Sequence, residues 1–267
     1  MFCASTTSIV SGVLTERIKL WPFLVYVIIL VVVIYPIQAS WKWGGGFLND
    51  MDFTGSTFVH SVSGWAALTG AIFFSLRLGE YKGGKVNPMP GSNLALATLG
   101  IFILWLSWFG FNSCSQLYMD TSGSVADISS IFSNTNTVAA AGAVAALTLT
   151  PSLIQSTMIG TVSGIIVVFA MPMLDRMKID YVVDAISVHL FAGIWGTLAV
   201  YFTNSAATFS VQLTSTLIVG AFVTVTTAFV WLVLKATAGL RVSEEVEIMS
   251  LGRNGLGVEA YPEFSSS

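Results

Sequence analysis

Seven stretches of about twenty predominantly apolar residues, near 20–39, 56–76, 93–114, 129–149, 151–174, 182–202 and 209–236, leave this chain few ways to fold. A helix needs about 20 such residues to cross the hydrocarbon of a bilayer. An eighth, partial stretch occupies about 1–15. Strands of a membrane barrel would instead show short alternating segments, and lipid offers an unpaired backbone no partner, so these runs predict helices. The expected fold is all-α: a polytopic membrane helix bundle of about eight helices, seven full spans plus a partial N-terminal one. Charge agrees, because only 9% of the residues are Asp, Glu, Lys or Arg, against roughly 25% in soluble domains. A water-facing surface could not be clothed with so few. A formal net charge of -3 gives no reason to expect nucleic acid as a partner. Cys3 and Cys114 both lie in apolar sequence and read as small buried hydrophobes rather than a disulfide.

Orientation follows from Lys and Arg near the span ends, which favour the cytoplasmic side. Ten of the eleven basic residues fall in four segments: Arg17 and Lys19; Arg77, Lys82 and Lys85; Arg176 and Lys178; and Lys235, Arg241 and Arg253. Strict alternation of the spans cannot put all four on one side. In addition, the fifth and sixth spans meet at Thr148-Leu149-Thr150-Pro151 without a loop. Both difficulties disappear if one crossing is absent near Thr150; the alternatives are a re-entrant or kinked unit over 129–174, or a failure of the charge bias in this chain. Residues 1–240 then form the membrane domain, and 241–267 form a polar cytoplasmic tail, expected to be ordered in part at best.

The chain's only two histidines, His60 and His189, both fall within spans. Ionisable groups there are costly and mark function by default, although a structural hydrogen bond between helices is the competing explanation. Gly64 and Ala67 follow His60, and Gly193 and Gly196 follow His189, which places small residues along the face of each histidine. Small residues let helices approach closely, so the two faces are expected to meet inside the bundle, as halves of a short internal repeat. Aromatics supply a third element in Trp43 and in Trp105-Leu106-Ser107-Trp108-Phe109-Gly110-Phe111-Asn112. They fit either an interfacial belt or a cation–π site.

At this point the residues resemble a known family. Asp52 to His60 is similar to the D-F-x-G-x-x-x-x-H stretch of the ammonium transporters (the Amt/Mep/Rh superfamily). Trp108-Phe109-Gly110-Phe111-Asn112 resembles their W-F-G-F-N segment, Asn134-Thr135 their N-T pair, and His189 to Gly196 their second histidine helix. Ser11 to Arg17 and Gly239 to Val242 resemble further segments, in family order. The resemblance implies a homotrimer of eleven-span protomers, each with its own pore, the C-terminus cytoplasmic and the site in the cell membrane. Against that plan the chain lacks two spans and the start of a third at its beginning, and one internal span.

The resemblance also implies roles. Trp43, Phe2 and Ser115 form an outer recruitment site with Trp108 nearby; Phe2 and Phe111 form a hydrophobic gate; His60 and His189 line the pore as twin histidines; and Asp52 supports the outer site. Ser107, Ser113 and Cys114 stand where glycine or alanine is usual. The expected function is passage of ammonium or ammonia, without a cofactor, a metal or catalysis of a reaction. Substrate and membrane lipid are the partners, with a cytosolic regulatory protein at the tail. A sensor of the same fold and a shortened member that conducts nothing are the alternatives. A retinal-binding bundle is disfavoured, since Lys235 sits at a span end and no other span carries a lysine.

Overall fold

The computed structural model describes residues 2–48, 55–82, 85–87, 93–140 and 152–249. The helices are α1 (Phe2–Leu14), α2 (Leu20–Trp43), α3 (Ser56–Phe74), α4 (Leu94–Ser113), α5 (Ser122–Ala140), α6 (Leu153–Arg176), α7 (Ser187–Thr203), α8 (Phe209–Thr237) and a short α9 (Glu244–Met249). A two-residue hairpin, β1 (Tyr81–Lys82) with β2 (Lys85–Val86), is the only sheet among the described residues.

Local sequence explains several boundaries. Asn93 caps α4 by accepting from the Leu96 amide, and Ser152 with Gln155 forms a reciprocal capping box at the start of α6. Within α2 the hydrogen bonding widens to a π-helical turn at Leu30–Ile34, directly ahead of Pro36, which has no amide to donate.

Five helices are long and apolar enough to cross a membrane on their own: Leu20–Trp43, Ser56–Phe74, Ala95–Gln116, Leu153–Arg176 and Phe209–Thr237. Phe2–Leu14 and Ser187–Thr203 are apolar but shorter. Two expected boundaries are corrected. The span placed at 129–149 begins at Ser122, where Thr121 Oγ1 accepts from the Ser124 amide; a Ser- and Asp-bearing first half hid that start from hydropathy. The span placed at 182–202 begins as an isolated 3-10 turn at Val182–Asp184, and α7 proper starts at Ser187. Residues 141–151 lie outside the described residues.

Helix α3 is the centre of the bundle, packed by α1, α7 and α8, while α4 packs on α5, α5 on α6 and α6 on α7. The core joins Val10, Val13 and Leu14 of α1 to Val62, Ala66 and Ala67 of α3 and to Val219, Val223 and Trp231 of α8. Around it the exterior is apolar: Leu96, Leu99, Phe102, Leu104 and Leu106 of α4, for example, are all exposed. Against lipid this carries no hydrophobic penalty. The two cysteines are free, Cys3 half-buried and Cys114 exposed, so the burial expected of Cys114 is not met; it lies at the outward-facing end of α4.

The charged groups gather at one end. The fully buried Arg17 pairs with Asp180 and donates to the Val13 carbonyl at 2.8 Å. The Arg77 amide reaches Asp180 Oδ2 at 2.7 Å, and its Nε lies 3.1 and 3.0 Å from the two carboxylate oxygens. Arg241 donates to the carbonyls of Phe74 at 2.9 Å and Leu76 at 2.7 Å, and pairs with Glu247, which accepts from the Leu78 amide. The described start of the tail, 241–249, docks on the bundle: Ile18 and Arg241 form a β-bridge, and the Val242 amide reaches the Arg17 carbonyl at 3.0 Å.

Electrostatics tune this network. Burial first, then the neighbouring Asp180, pushes the Glu80 carboxyl up to about 7, against the pull of Arg77 and Arg17. Burial alone would raise Asp180 too, but the hydrogen bond from Glu80 and the charges of Arg17 and Arg77 outweigh it and hold Asp180 low.

The same network bears on the topology expected from sequence. Three helices, α4, α5 and α6, lie between Arg77 and Asp180, and three alternating crossings would set them on opposite faces. They touch instead. Alternating full crossings by all three of these helices are therefore excluded, and α5, over its described residues, is not among the helices apolar enough to cross on their own.

Candidate functional site

Both histidines ride on π-helical turns, His60 in Ser56–Ser61 and His189 in Ser187–Phe191. Such turns pair amide i with carbonyl i−5 and recur at functional sites. At the first, the Gly55 carbonyl accepts from the amides of Val59 at 2.8 Å and His60 at 3.1 Å. Gly55 itself adopts φ 98°, a left-handed conformation that favours glycine.

The two histidine helices cross through their glycines. A Cβ on Gly64 would lie 2.5 Å from Leu190 Cβ and 2.6 Å from its Cα; one on Gly193 would lie 2.9 Å from the Ser56 carbonyl and 3.1 Å from the Ser61 amide. Each glycine, one turn beyond its own histidine, thus seats the residue that follows the other. This two-fold-like exchange brings the imidazoles together edge to edge, ring centres 5.2 Å apart and planes inclined by 6°. The Nδ1 atoms are 3.0 Å apart. At that separation one Nδ1 donates and the other accepts, and either ring can hold the proton.

A row of rings continues from the pair. His60 faces Phe111 at 6.1 Å, Phe111 meets Phe2 edge-on at 4.7 Å, and Phe2 stacks on Trp43 at 5.2 Å. Trp43 in turn lies 5.9 Å from Phe58, two residues before His60. Five of the residues picked from sequence, Trp43, Phe2, Phe111, His60 and His189, therefore form one continuous file drawn from α2, α1, α4, α3 and α7.

The others are placed differently. Ser115, 5% exposed, has a hydroxyl with no hydrogen-bond partner among the described residues. Trp108 is half-buried on α4 and pairs with no other ring among the described residues. Asp52 lies outside the described residues. The W-F-G-F-N and N-T segments meet through side chains, Asn112 Nδ2 donating to Thr135 Oγ1 at 3.0 Å, while Asn134 Oδ1 accepts from Ser156 at 3.1 Å.

Sequence reasoning passed over a polar set behind His60. Thr57 Oγ1 is 2.6 Å from Thr197 Oγ1 and 3.3 Å from Thr216 Oγ1, tying α3 to α7 and α8. Gln38 Nε2 donates to the Phe58 carbonyl at 3.1 Å. A glutamine inside a 24-residue apolar span was the available signal.

The chain is similar to known proteins over almost its whole length. The profile of the Ammonium Transporter Family matches residues 1–153 and 149–261. The chain belongs to the ammonium transporter family. The ammonium transporter Amt2 of Archaeoglobus fulgidus is 35% identical, over 99% of this chain and 69% of its own length. A putative ammonium transporter of Synechocystis sp. is 33% identical, over 97% and 68%. Among solved structures, a protein titled Sensor Amt Protein superposes with a TM-score of 0.87 at 28% identity, covering 94% of this chain and 73% of that one. Candida albicans Mep2 shares the fold, with a TM-score of 0.81 over 100% of this chain and 71% of its own. The family profile thus matches in two pieces that meet at 149–153. The alignment with Amt2 runs over 327 positions, more than the 267 residues present, so at least 60 of those positions have no counterpart here. Amt2 therefore carries residues inside the matched region that this chain does not.

Proposed function

We propose that the chain passes ammonium or ammonia across the cell membrane along the file Trp43–Phe2–Phe111–His60–His189. The observation that carries this reading is the Nδ1–Nδ1 contact of 3.0 Å at the inner end of an otherwise hydrocarbon-like row. Taking a bare cation out of water costs several kcal/mol or more, so a dry row of rings demands that the cation be met, stripped and relieved of its charge. Trp43 and Phe2 offer faces to a small cation for roughly 1–2 kcal/mol, and the unpartnered Ser115 hydroxyl is a ready acceptor for an ammonium N–H. Phe2 and Phe111 in edge contact close the row against water. Ammonia then meets two imidazoles that can donate or accept a proton between them. No cofactor takes part and no covalent reaction occurs.

On this reading residues 1–240 are the transport domain, and 241–267 is a cytoplasmic tail open to a regulatory protein, in a homotrimer like that implied by the family resemblance. Trp108 and Asp52 support the outer site. The likeness to the protein titled Sensor Amt Protein favours a second reading, in which the same file binds ammonium and the tail reports it without flux.

Purified chain in proteoliposomes would be given an ammonium gradient and its flux followed beside His60→Ala and His189→Ala. The proposal expects flux in the parent and its loss or altered selectivity in both variants. Binding without flux selects the sensor. Equal, equally selective flux in all three removes the histidines from the path.

A further inference from the structure

A π-helical turn that returns to α-helical pairing skips one carbonyl. At the His60 turn the skipped group can be named. The Val62 amide, which in an α-helix would serve Phe58, goes to Thr57 and Val59 instead. The Phe58 carbonyl is met by Gln38 Nε2 from α2, at 3.1 Å. Because a carbonyl can only accept, the amide orientation of Gln38 is fixed with its nitrogen toward Phe58.

Gln38 is fully buried, 0% exposed, and its other end, Oε1, has no partner among the described residues. A buried acceptor without a partner is unfavourable, and it offsets much of what the bond to the Phe58 carbonyl contributes. A glutamine that serves stability alone has no reason to stand in an apolar span under those terms. It does have a reason to stand there if the shape of the turn matters, since the π-helical register decides which way His60 faces. The second turn, at His189, differs: the Ser187 hydroxyl within it is buried without a partner among the described residues. Support from a neighbouring helix's side-chain amide falls on the His60 side.

We propose that Gln38 is a positioning residue for the pore reading above: by holding the Phe58 carbonyl it keeps the π-helical turn of α3, and with it the His60 ring against His189. It touches neither imidazole and acts through the backbone two residues before His60. Thr57, bonded across to Thr197, steadies the same turn from the opposite side.

The test replaces Gln38 by methionine, which keeps the side chain's length and removes both its donor and its unpaired acceptor. Three quantities are read on the full chain, as parent and as Gln38→Met: thermal midpoint in detergent, imidazole nitrogen signals in 15N-histidine-labelled protein, and ammonium flux in proteoliposomes. The proposal expects shifted Nδ1 signals with the His60 ring moved most and flux lowered about tenfold, with a midpoint lowered only modestly as the Phe58 carbonyl loses its partner. A merely structural glutamine predicts a lowered midpoint with unmoved imidazole signals, and that result overturns the proposal. Unchanged signals with unchanged flux also overturn it. Failure of the pore reading is separately visible as a parent that moves no ammonium, while the histidine signals still report whether Gln38 sets the ring.

Discussion

The glycine crossing gives the most demanding prediction. In Gly64→Ala the new Cβ would lie 2.5 Å from Leu190 Cβ, 2.6 Å from its Cα and 2.6 Å from its amide nitrogen. Two of those atoms are backbone and cannot swing aside. Ordinary contact begins at 3.4 Å, so α3 and α7 must separate by about 0.9 Å. His60 lies one turn before Gly64, and His189 is the immediate neighbour of Leu190, so the same displacement acts on the imidazoles. It takes their Nδ1 atoms from 3.0 Å to nearly 4 Å, beyond hydrogen-bond range. Overpacking of this kind costs roughly 1–3 kcal/mol, which a bundle survives, whereas a displacement of about 1 Å at a reacting centre can cost about 100-fold in rate. The chain should therefore still purify as a folded bundle and lose ammonium flux by about 10- to 100-fold in proteoliposomes. Gly100→Ala is the control, because a Cβ there meets nothing within 4 Å. Parental flux in Gly64→Ala, with Gly100→Ala equally active, would refute the link between helix approach and the histidine contact.

Three further outcomes follow from the same geometry. Arg17→Met strands the buried Asp180 with Arg77 alone and should lower stability by about 3 kcal/mol, read by thermal or denaturant unfolding of purified protein; a loss below about 1 kcal/mol would contradict the assigned role. Glu80, whose carboxyl is raised to about 7, holds a proton in the folded chain that the unfolded chain releases, so its contribution to stability declines as pH rises from about 4.5 to 7 and is level above that. Glu80→Gln should flatten that decline in a melting-versus-pH series, and an unaltered slope would count against it. Trp43→Leu, which removes the face stacked on Phe2, should weaken ammonium affinity about tenfold with little change in maximal flux, a split read from a concentration series.

The sequence carried much of this and withheld some of it for physical reasons. Span-length apolar runs marked α2, α3, α4, α6 and α8 because nothing but a helix satisfies a backbone in lipid. The start of α5 escaped because Ser122 to Ser130 mixes four serines and Asp127 with Val125 and Ile128, and hydropathy reads average character rather than capping. Gly64 and Gly193 were legible as a meeting of helices from their spacing to the histidines. The π-helical turns were not, since widening a turn is decided by what α2 and α7 press against it. Arg17 announced its side of the membrane, but its partner Asp180 lies 163 positions away, a pairing that only the folded chain reveals. Gln38 and Thr57 fall in the same class: polar residues in apolar surroundings whose partners come from other helices.

The central claim, two imidazoles sharing a proton within the bundle, has a direct measurement. In chain labelled with 15N-histidine and reconstituted in lipid, a scalar coupling between the two Nδ1 nuclei can arise only across a hydrogen bond joining them. The account predicts that coupling between His60 and His189, and its disappearance in Gly64→Ala. Two uncoupled imidazoles, each with the Nδ1 signal of a solvated ring, would contradict it.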